Sequence, residues 1–390
     1  KVLGTILLFA GVLTSLISFS NSFILSFVQE SFSDLRVSSI IATLILFALP
    51  SLLLGMVMPF AVRLRLKSLK TSGKTAGNLF AISTIGSIVG TFAAGFFLIA
   101  FLGSTKILNL LALLLLSCSF LAFIYKLSVV KSSLIFLLAT TIFAVGEGRN
   151  PVRDGVLIDK DTAYSRVIID VDQNESGGIL RMFTGQTFQA AMSLEDEEAL
   201  IFASTRFYRL AGHFQPEIKR ALKKGGGGYS YPKDFLRSFP HAKLDVVEID
   251  PEITQLAKKY FKLADNPRLT VYHQDGRVFI NTNQTKYDTA ILDAYLDGIS
   301  IPFQLTTVEA VKRIYDSLND GGVMIVNIIE GGELKFLRAE MATYKTIFPQ
   351  VFLFPVSYPE DIKRRQNFVL VALKSKEKPE FGSGDNELNG

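Results

Sequence analysis

Long apolar stretches dominate the first 125 residues and restrict what this chain can fold into. Four of them, residues 2–28, 38–62, 77–101 and 107–125, contain no Lys, Arg, Asp or Glu. A helix needs about 20 apolar residues to cross the hydrocarbon of a bilayer. The sequence therefore predicts a bundle of four or five membrane-spanning helices over residues 1–146, ahead of a part with ordinary charged and apolar alternation.

The loop between the second and third stretches indicates how the bundle is oriented. It carries five basic residues and no acid over residues 63–74, which places it in the cytoplasm by the positive-inside rule. A fifth apolar segment, residues 129–145, is shorter and contains Ser and Thr. If it is re-entrant or interfacial, the C-terminal part lies in the cytoplasm, and if it spans, that part lies outside. We expect the first arrangement, in the inner or plasma membrane of a prokaryote.

The charge distribution and the residue types argue against a nucleic-acid partner and against a bound metal. Residues 1–150 hold 11 Lys and Arg against 3 Asp and Glu, whereas the remainder has a small acidic excess. The basic excess is therefore a membrane-topology signal and not a nucleic-acid footprint. The single Cys118 and three histidines give no metal-ligand spacing, so we expect no metal.

Because Lys1 is not an initiator Met, we expect the chain to begin inside a longer protein.

The C-terminal part has the pattern of an α/β domain. Alternating apolar residues in "SRVIIDVD" and "GILRMFTG" predict a linker and small β module over residues 147–192. A helix is predicted over residues 193–214, and buried strands then alternate with helices. This alternation predicts a doubly wound, mostly parallel Rossmann-like sheet over residues 193–374. The polar tail, residues 375–390, is expected to be disordered.

Four consecutive glycines, residues 225–228, follow the first strand of the predicted sheet. Twenty residues after Gly228, Glu248 ends the next apolar strand. In Rossmann-type sites, glycines turn out of the first strand and an acid ending the second strand binds ribose hydroxyls. We therefore predict a turn, not a linker. The preceding Lys223 and Lys224 predict that the first strand is short or partly exposed.

The ligand of this turn is expected to contain one nucleoside. The glycines lack G-x-G-x-x-G spacing and no second dinucleotide half is present, which argues against NAD. An adenosine-containing cofactor such as S-adenosylmethionine suits the single ribose acid and Asp275, which ends the third strand.

Several segments carry a resemblance to a known family. "VVEIDPEITQLAKKYF", "NPRLTVYHQDGRVFI", "YDTAILDAY" through "IPFQLTT", and "LNDGGVMIVNII" resemble the spermidine synthase family of aminopropyltransferases. The apolar part, with "LFALPSLLLGMVMPFAVRL" and "GNLFAISTIGSIVGTFAAGF", is similar to the branch in which a membrane bundle is fused ahead of the synthase. The resemblance implies a β module before a Rossmann-like domain of the S-adenosylmethionine methyltransferase type. It also implies aminopropyl transfer from decarboxylated S-adenosylmethionine to an amine such as putrescine. A homodimer is a separate expectation.

The resemblance also assigns roles to residues. Glu248 would bind the ribose, Asp275 the adenine amino group, and Asp293 would orient the attacking amine and accept its proton. The residues expected to contact the cofactor are Gly226, Gly228, Tyr229, Glu248, Asp250, Asp275 and Gly276, and the catalytic candidates are Asp293 and Asp297.

Departures from the family pattern leave other functions open. The family has an aspartate in its glycine turn that holds the donor's ammonium, and this chain has only glycines followed by Tyr229. Leu296 stands where the family has a second aspartate, and Leu200 where it has a diamine-contacting tyrosine. One alternative is a methyltransferase, because the missing acid no longer repels the carboxylate of intact S-adenosylmethionine. Another is a non-catalytic membrane protein with a nucleotide-binding-type fold.

Overall fold

The computed structural model describes three ranges of the chain. They are residues 2–124 except 33, 67, 69 and 70, residues 155–295 except 174–176 and 186, and residues 301–377 together with 379. The fifth apolar segment, the linker and nearly all of the predicted tail lie outside the described residues. The chain divides into two compact units near residue 155.

The N-terminal unit consists of long helices: α1 Val2–Ser31, α2 Leu35–Arg65, α3 Ser72–Ala93 and α4 Ile99–Ile124. Asp34 begins α2 by accepting hydrogen bonds from the backbone N–H groups of Arg36 and Val37. α1 lies against α4, where the Ser18 hydroxyl donates to Asn109 at 2.7 Å. By length and composition, four helical segments are able to cross a membrane.

α3 and α4 differ from the sequence-based expectation in one respect. They are joined by a π-helical segment, Ala94–Leu98, and no loop separates them. The expected reversal between the third and fourth spans is therefore absent from the described backbone. The polar residues 103–106 between the two apolar stretches include no proline, so the main-chain hydrogen bonds of the helix continue through them.

The C-terminal unit begins with a four-stranded sheet in the order β1-β2-β3-β4. Its strands are β1 Val156–Asp161, β2 Arg166–Asp172, β3 Ile179–Thr184 and β4 Thr187–Ser193. Apolar side chains of β2 and β3 are buried on one face, and Arg181 pairs with Asp170 and Asp172. These strands lie within the segment predicted to form a small β module.

A seven-stranded mixed sheet follows, in the order β10-β11-β9-β8-β5-β6-β7. Its strands are β5 Arg220–Lys224, β6 Lys243–Val247, β7 Leu269–Tyr272, β8 Tyr287–Leu292, β9 Leu318–Glu330, β10 Gln350–Pro355 and β11 Gln366–Leu373. Strands β5 to β9 are parallel to one another. At one edge β11 pairs with β9 in the antiparallel direction, and β10 pairs with β11 in the antiparallel direction. The strand order reverses at β5, which has β6 on one side and β8 on the other. Ligands of such sheets bind at the carboxyl ends of the strands beside this reversal.

Helices cover both faces of this sheet: α5 Ala203–Phe207, α6 Leu210–Phe214, α7 Ser230–Ser238, α8 Pro251–Tyr260, α9 Gly276–Thr282, α10 Val308–Ser317 and α11 Lys335–Lys345. Side chains of α7 and α8 join the core of one face, and those of α9, α10 and α11 join the core of the other. Asp250, Asp275 and Thr307 begin α8, α9 and α10 with side-chain caps, which fixes where each helix leaves its loop.

The single long helix predicted over residues 193–214 is wrong. β4 runs to Ser193, whose hydroxyl accepts hydrogen bonds from the backbone N–H groups of Glu195 and Asp196. Only α5 and α6 are helical in this stretch. The acidic residues 195–198 are exposed and supply no apolar stripe, so a helix there would have no face to bury.

Candidate functional site

A cavity of about 280 Å³ lies at the carboxyl ends of β5, β6, β7 and β8. Every described residue that the sequence assigned to the site lines it: Gly226, Gly228, Tyr229, Glu248, Asp250, Asp275, Gly276 and Asp293. Asp297 lies outside the described residues. Two lysines of the described lining, Lys223 and Lys224, were not assigned to the site from the sequence.

The glycines form a tightly packed turn. Gly225 and Gly227 have φ angles of +91° and +54°, a region that side chains disfavour. A Cβ atom on Gly225 would lie 2.1 Å from the carbonyl oxygen of Asp293, and one on Gly228 would lie 2.8 Å from the Cβ of Ala190. The chain after β5 therefore needs glycine for both conformation and space, which a slack linker does not.

Glu248 is held against this turn. Its Oε2 accepts a hydrogen bond from the Gly226 N–H at 2.8 Å, and its Oε1 accepts one from the Asp250 N–H at 3.0 Å. Asp250 begins α8 through its Oδ1, while its Oδ2 is buried without a hydrogen-bond partner in the described structure. Two fixed carboxylates with spare acceptor capacity at one cavity wall suit a ligand with neighbouring hydroxyl groups.

Asp275 has a structural role that is visible in the fold. Its Oδ1 accepts hydrogen bonds from the backbone N–H groups of Arg277 at 2.7 Å and Val278 at 2.9 Å, which begins α9. Both of these bonds use the same oxygen, so Oδ2 can accept a hydrogen bond from a ligand amino group. A Cβ on the adjacent Gly276 would make only ordinary contacts, the nearest at 3.6 Å, so space does not require glycine there.

Asp293 follows β8 and lies in a network that the sequence did not reveal. Lys223 Nζ lies 3.2 Å from Asp293 Oδ2 and donates to the carbonyl oxygen of Gly225 at 2.5 Å. Asn327 donates to Asp293 Oδ1 at 3.1 Å, and the Tyr295 hydroxyl donates to the Asn327 carbonyl at 2.7 Å. Burial raises the pKa of Tyr208 well above its ordinary value, and the charge of Asp293 raises it further.

The first strand was predicted to be short or partly exposed, and it is short and not exposed at Lys224. β5 is short, but Lys224 is only 2% exposed, and its Nζ has no hydrogen-bond partner among the described residues. Burial lowers the pKa of Lys224 from 10.5 to about 7, and the charge of Arg277 lowers it while that of Asp275 opposes the change. The sequence signal for this arrangement was the pair of lysines at positions where a buried strand is expected to be apolar.

Tyr229 is a packing residue in this structure. It has a left-handed backbone with φ 55°, is fully buried, and its hydroxyl is hydrogen-bonded to Thr254 at 2.8 Å. His273 is bonded to the same threonine hydroxyl at 3.0 Å. No group of three or more potential metal ligands occurs in the described ranges.

The mixed sheet and the acids at its strand ends define a Rossmann-like domain of the methyltransferase type. Residues 207–360 match the spermine/spermidine synthase domain family. A polyamine aminopropyltransferase from Vibrio vulnificus is 27% identical over 230 residues, which are 57% of this chain and 74% of that protein. A probable polyamine aminopropyl transferase from Bifidobacterium longum is 33% identical over 170 residues, 43% of this chain and 36% of that protein.

A solved structure has the same fold. A probable spermidine synthase from Corynebacterium glutamicum superposes with a TM-score of 0.51 at 21% identity, covering 60% of this chain and 83% of that one. Residues 207–360 of this chain therefore form a spermine/spermidine synthase domain, and its relatives include polyamine aminopropyltransferases.

Proposed function

We propose that this chain is a membrane-anchored aminopropyltransferase that moves an aminopropyl group from decarboxylated S-adenosylmethionine to a small amine, with putrescine as the reference acceptor. The helices of the N-terminal unit would anchor it in a prokaryotic inner or plasma membrane, with the synthase domain in the cytoplasm. One observation carries the proposal: Glu248 bonds to the glycine turn within a cavity that Asp275 and Asp293 also line.

The donor fits the residues that line the cavity. Glu248 and the unpartnered Oδ2 of Asp250 would accept hydrogen bonds from the ribose hydroxyls, and Asp275 Oδ2 would accept one from the adenine amino group. Glycines 225–228 would let the ligand approach the backbone closely. The donor's sulfonium supplies a good leaving group, so the protein has mainly to hold the amine in line and remove a proton.

Asp293 is the proposed base for that proton. It follows β8, lines the cavity, and is oriented by Lys223 on one oxygen and Asn327 on the other. A positioned carboxylate attracts the acceptor's amino group and can take the proton released as the new carbon–nitrogen bond forms. Asp297 is kept as a second candidate.

A methyltransferase is the second candidate function, and one observation favours it. Residues 225–229 carry no acidic side chain, and the packing around Gly228 leaves no space for one. The aminopropyl ammonium of the decarboxylated donor would therefore lack a carboxylate partner in the turn. The carboxylate of intact S-adenosylmethionine would meet no repulsion there.

Calorimetry on the full chain in detergent separates these functions. Tighter binding of decarboxylated S-adenosylmethionine, together with conversion of putrescine, supports aminopropyl transfer. Tighter binding of the intact compound, with methyl transfer to an amine, supports the second candidate. Failure to bind either compound refutes both and favours the non-catalytic alternative. The mass of the detergent-solubilised particle tests the homodimer that we also propose.

A further inference from the structure

Two buried polar atoms of residues that line the cavity lack a hydrogen-bond partner in the described structure: Asp250 Oδ2 and Lys224 Nζ. Asp250 is 3% exposed and Lys224 is 2% exposed. A buried polar group without a partner costs stability, and a ligand that supplies the partner removes that cost. The proposed function gives Asp250 Oδ2 a ribose hydroxyl and leaves the Lys224 amine without a ligand atom.

The position of Lys224 assigns its amine to one corner of the cavity. Lys224 ends β5, and successive side chains of a strand point to opposite faces of the sheet. The preceding Lys223 reaches Asp293. On the other face, Lys224 Cδ lies 3.7 Å from the position that a Cβ on Gly276 would take. The Lys224 amine therefore belongs to the corner of Asp275 and Gly276, and not to the side of the proposed base.

The charged groups at this corner have different roles. Burial and the charge of Arg277 lower the pKa of Lys224, and the charge of Asp275 raises it, so the amine is close to both. The Arg277 guanidinium is engaged, because it donates to the Gln304 carbonyl oxygen and to the Thr307 hydroxyl, both at 3.3 Å. Asp275 Oδ2 is the acceptor proposed for the ligand's amino group. The Lys224 amine adds a hydrogen-bond donor next to that acceptor.

An acceptor and a donor side by side match one edge of adenine. Its amino group donates, and the ring nitrogens on either side of that group, N1 and N7, accept. A lysine side chain has N–H donors whether it is protonated or neutral, so Lys224 can donate in either state. Apolar side chains of Ile249, Pro302 and Leu305 line the cavity and can pack against a flat ring.

We infer that Lys224 is a specificity-determining residue for the base of the donor, and that its Nζ donates a hydrogen bond to adenine N1 or N7 while Asp275 accepts one from the amino group. This inference rests on the proposed function only for a ligand that contains adenosine, which aminopropyl transfer and methyl transfer share. Binding of the base would give the buried amine the partner that it lacks in the described structure.

The test removes single nitrogen atoms from the ligand. The probes are 5′-methylthioadenosine, the thioether nucleoside that aminopropyl transfer releases, and its 1-deaza, 3-deaza and 7-deaza analogues. Kd is measured for each by calorimetry on the full chain in detergent. In the wild type, either the 1-deaza or the 7-deaza analogue should bind at least about tenfold more weakly than the parent, because a buried N–H is left unpaired.

Lys224→Met removes the donor and keeps the length of the side chain. It should bind the parent compound about tenfold more weakly than the wild type does, and the analogue that the wild type discriminates against should bind it as well as the parent. The 3-deaza analogue is the ligand control, because N3 is not beside the amino group. Any loss that it causes should be equal in both proteins.

Lys223→Met is the matched protein control. It makes the same substitution one residue earlier, where the ammonium bonds to Asp293 and to the carbonyl oxygen of Gly225. Its ratio of Kd between parent and deaza analogue should equal that of the wild type. Thermal unfolding without ligand completes the comparison, since Lys224→Met should bind more weakly although it is the more stable protein. Damage to the fold would lower both affinity and stability.

Three outcomes overturn the inference and leave the proposed function standing. The first is a wild type that binds the parent, 1-deaza and 7-deaza compounds equally. The second is a preference that persists in Lys224→Met, which would assign the contact to another donor, such as the side-chain amide of Gln274 or Gln304 in the lining. The third is equal affinity of wild type and Lys224→Met for the parent. Failure of the wild type to bind 5′-methylthioadenosine instead refutes the adenosine site, and the proposed function with it.

Discussion

Replacing Lys224 by methionine should stabilise the folded protein, and the gain should depend on pH. Burial lowers the pKa of Lys224 from 10.5 to about 7, and each pH unit between these values corresponds to about 1.4 kcal/mol. The folded state resists protonation of this amine, whereas the unfolded chain accepts the proton readily. The buried amine therefore lowers the free energy of unfolding by an amount on the order of 5 kcal/mol below pH 7. This loss of stability decreases as the pH rises and vanishes near pH 10.5.

Thermal unfolding of the full chain in detergent, at intervals from pH 6 to pH 10, measures this difference. Methionine has a similar length and no charge, so it fills the same space between β5 and α9. The increase in Tm of Lys224→Met over wild type should be largest at pH 6 to 7 and should shrink at each higher pH. Lys258→Met is the control, because Lys258 pairs with Asp265 at the surface with its side chain 50% exposed and should change stability little.

Two results would refute this reasoning. A Tm difference that stays constant from pH 6 to pH 10 would show that the amine does not titrate in the folded state. A destabilised Lys224→Met protein at pH 6 would show that the ammonium has a partner that compensates for its burial.

Three further predictions concern the cavity. Asp293→Asn should abolish transfer and leave donor affinity within about tenfold, roughly 1.4 kcal/mol, by calorimetry; normal turnover would remove Asp293 from the mechanism. Glu248→Gln should weaken donor binding about tenfold or more, because a charged acceptor becomes neutral, and an unchanged Kd would contradict the ribose assignment. Gly225→Ala should lower stability by about 1–3 kcal/mol or more, since its φ is +91° and its Cβ would meet the Asp293 carbonyl. Gly276→Ala is its control in thermal unfolding, and equal Tm changes would contradict the steric argument.

The alternation of strands and helices was predictable because its signals are local. The strand before Glu248 is marked by the buried apolar residues Leu244, Val246 and Val247, and Asp250 followed by Pro251 is a typical helix start. The same applies to the glycine turn, since positive φ angles such as those of Gly225 and Gly227 favour glycine. These features fix the cavity at the strand ends, and the ligand roles of its residues stay predictions.

The network around Asp293 was not predictable because its members are far apart in the sequence. Lys223 and Asp293 are 70 residues apart and meet only because β5 and β8 are neighbours in the sheet. Lysines at the end of this strand indicated exposure by their residue type, and burial between neighbouring elements overrode that preference. The helix predicted from Ser193 failed for a related reason: capping residues alone favour a helix, but without an apolar face they do not produce one.

The packing at Gly228 has a consequence for anyone who wants to add to this turn an acid that would hold the ammonium of decarboxylated S-adenosylmethionine. An acidic side chain cannot simply be introduced there, because Ala190 from β4 and Phe261 from the end of α8 fill the volume its first carbon would need. Both neighbours would have to become smaller or move before a carboxylate could be accepted. Variants with a single substitution at Gly228 would therefore fold poorly. Mutant libraries should vary positions 190, 228 and 261 together.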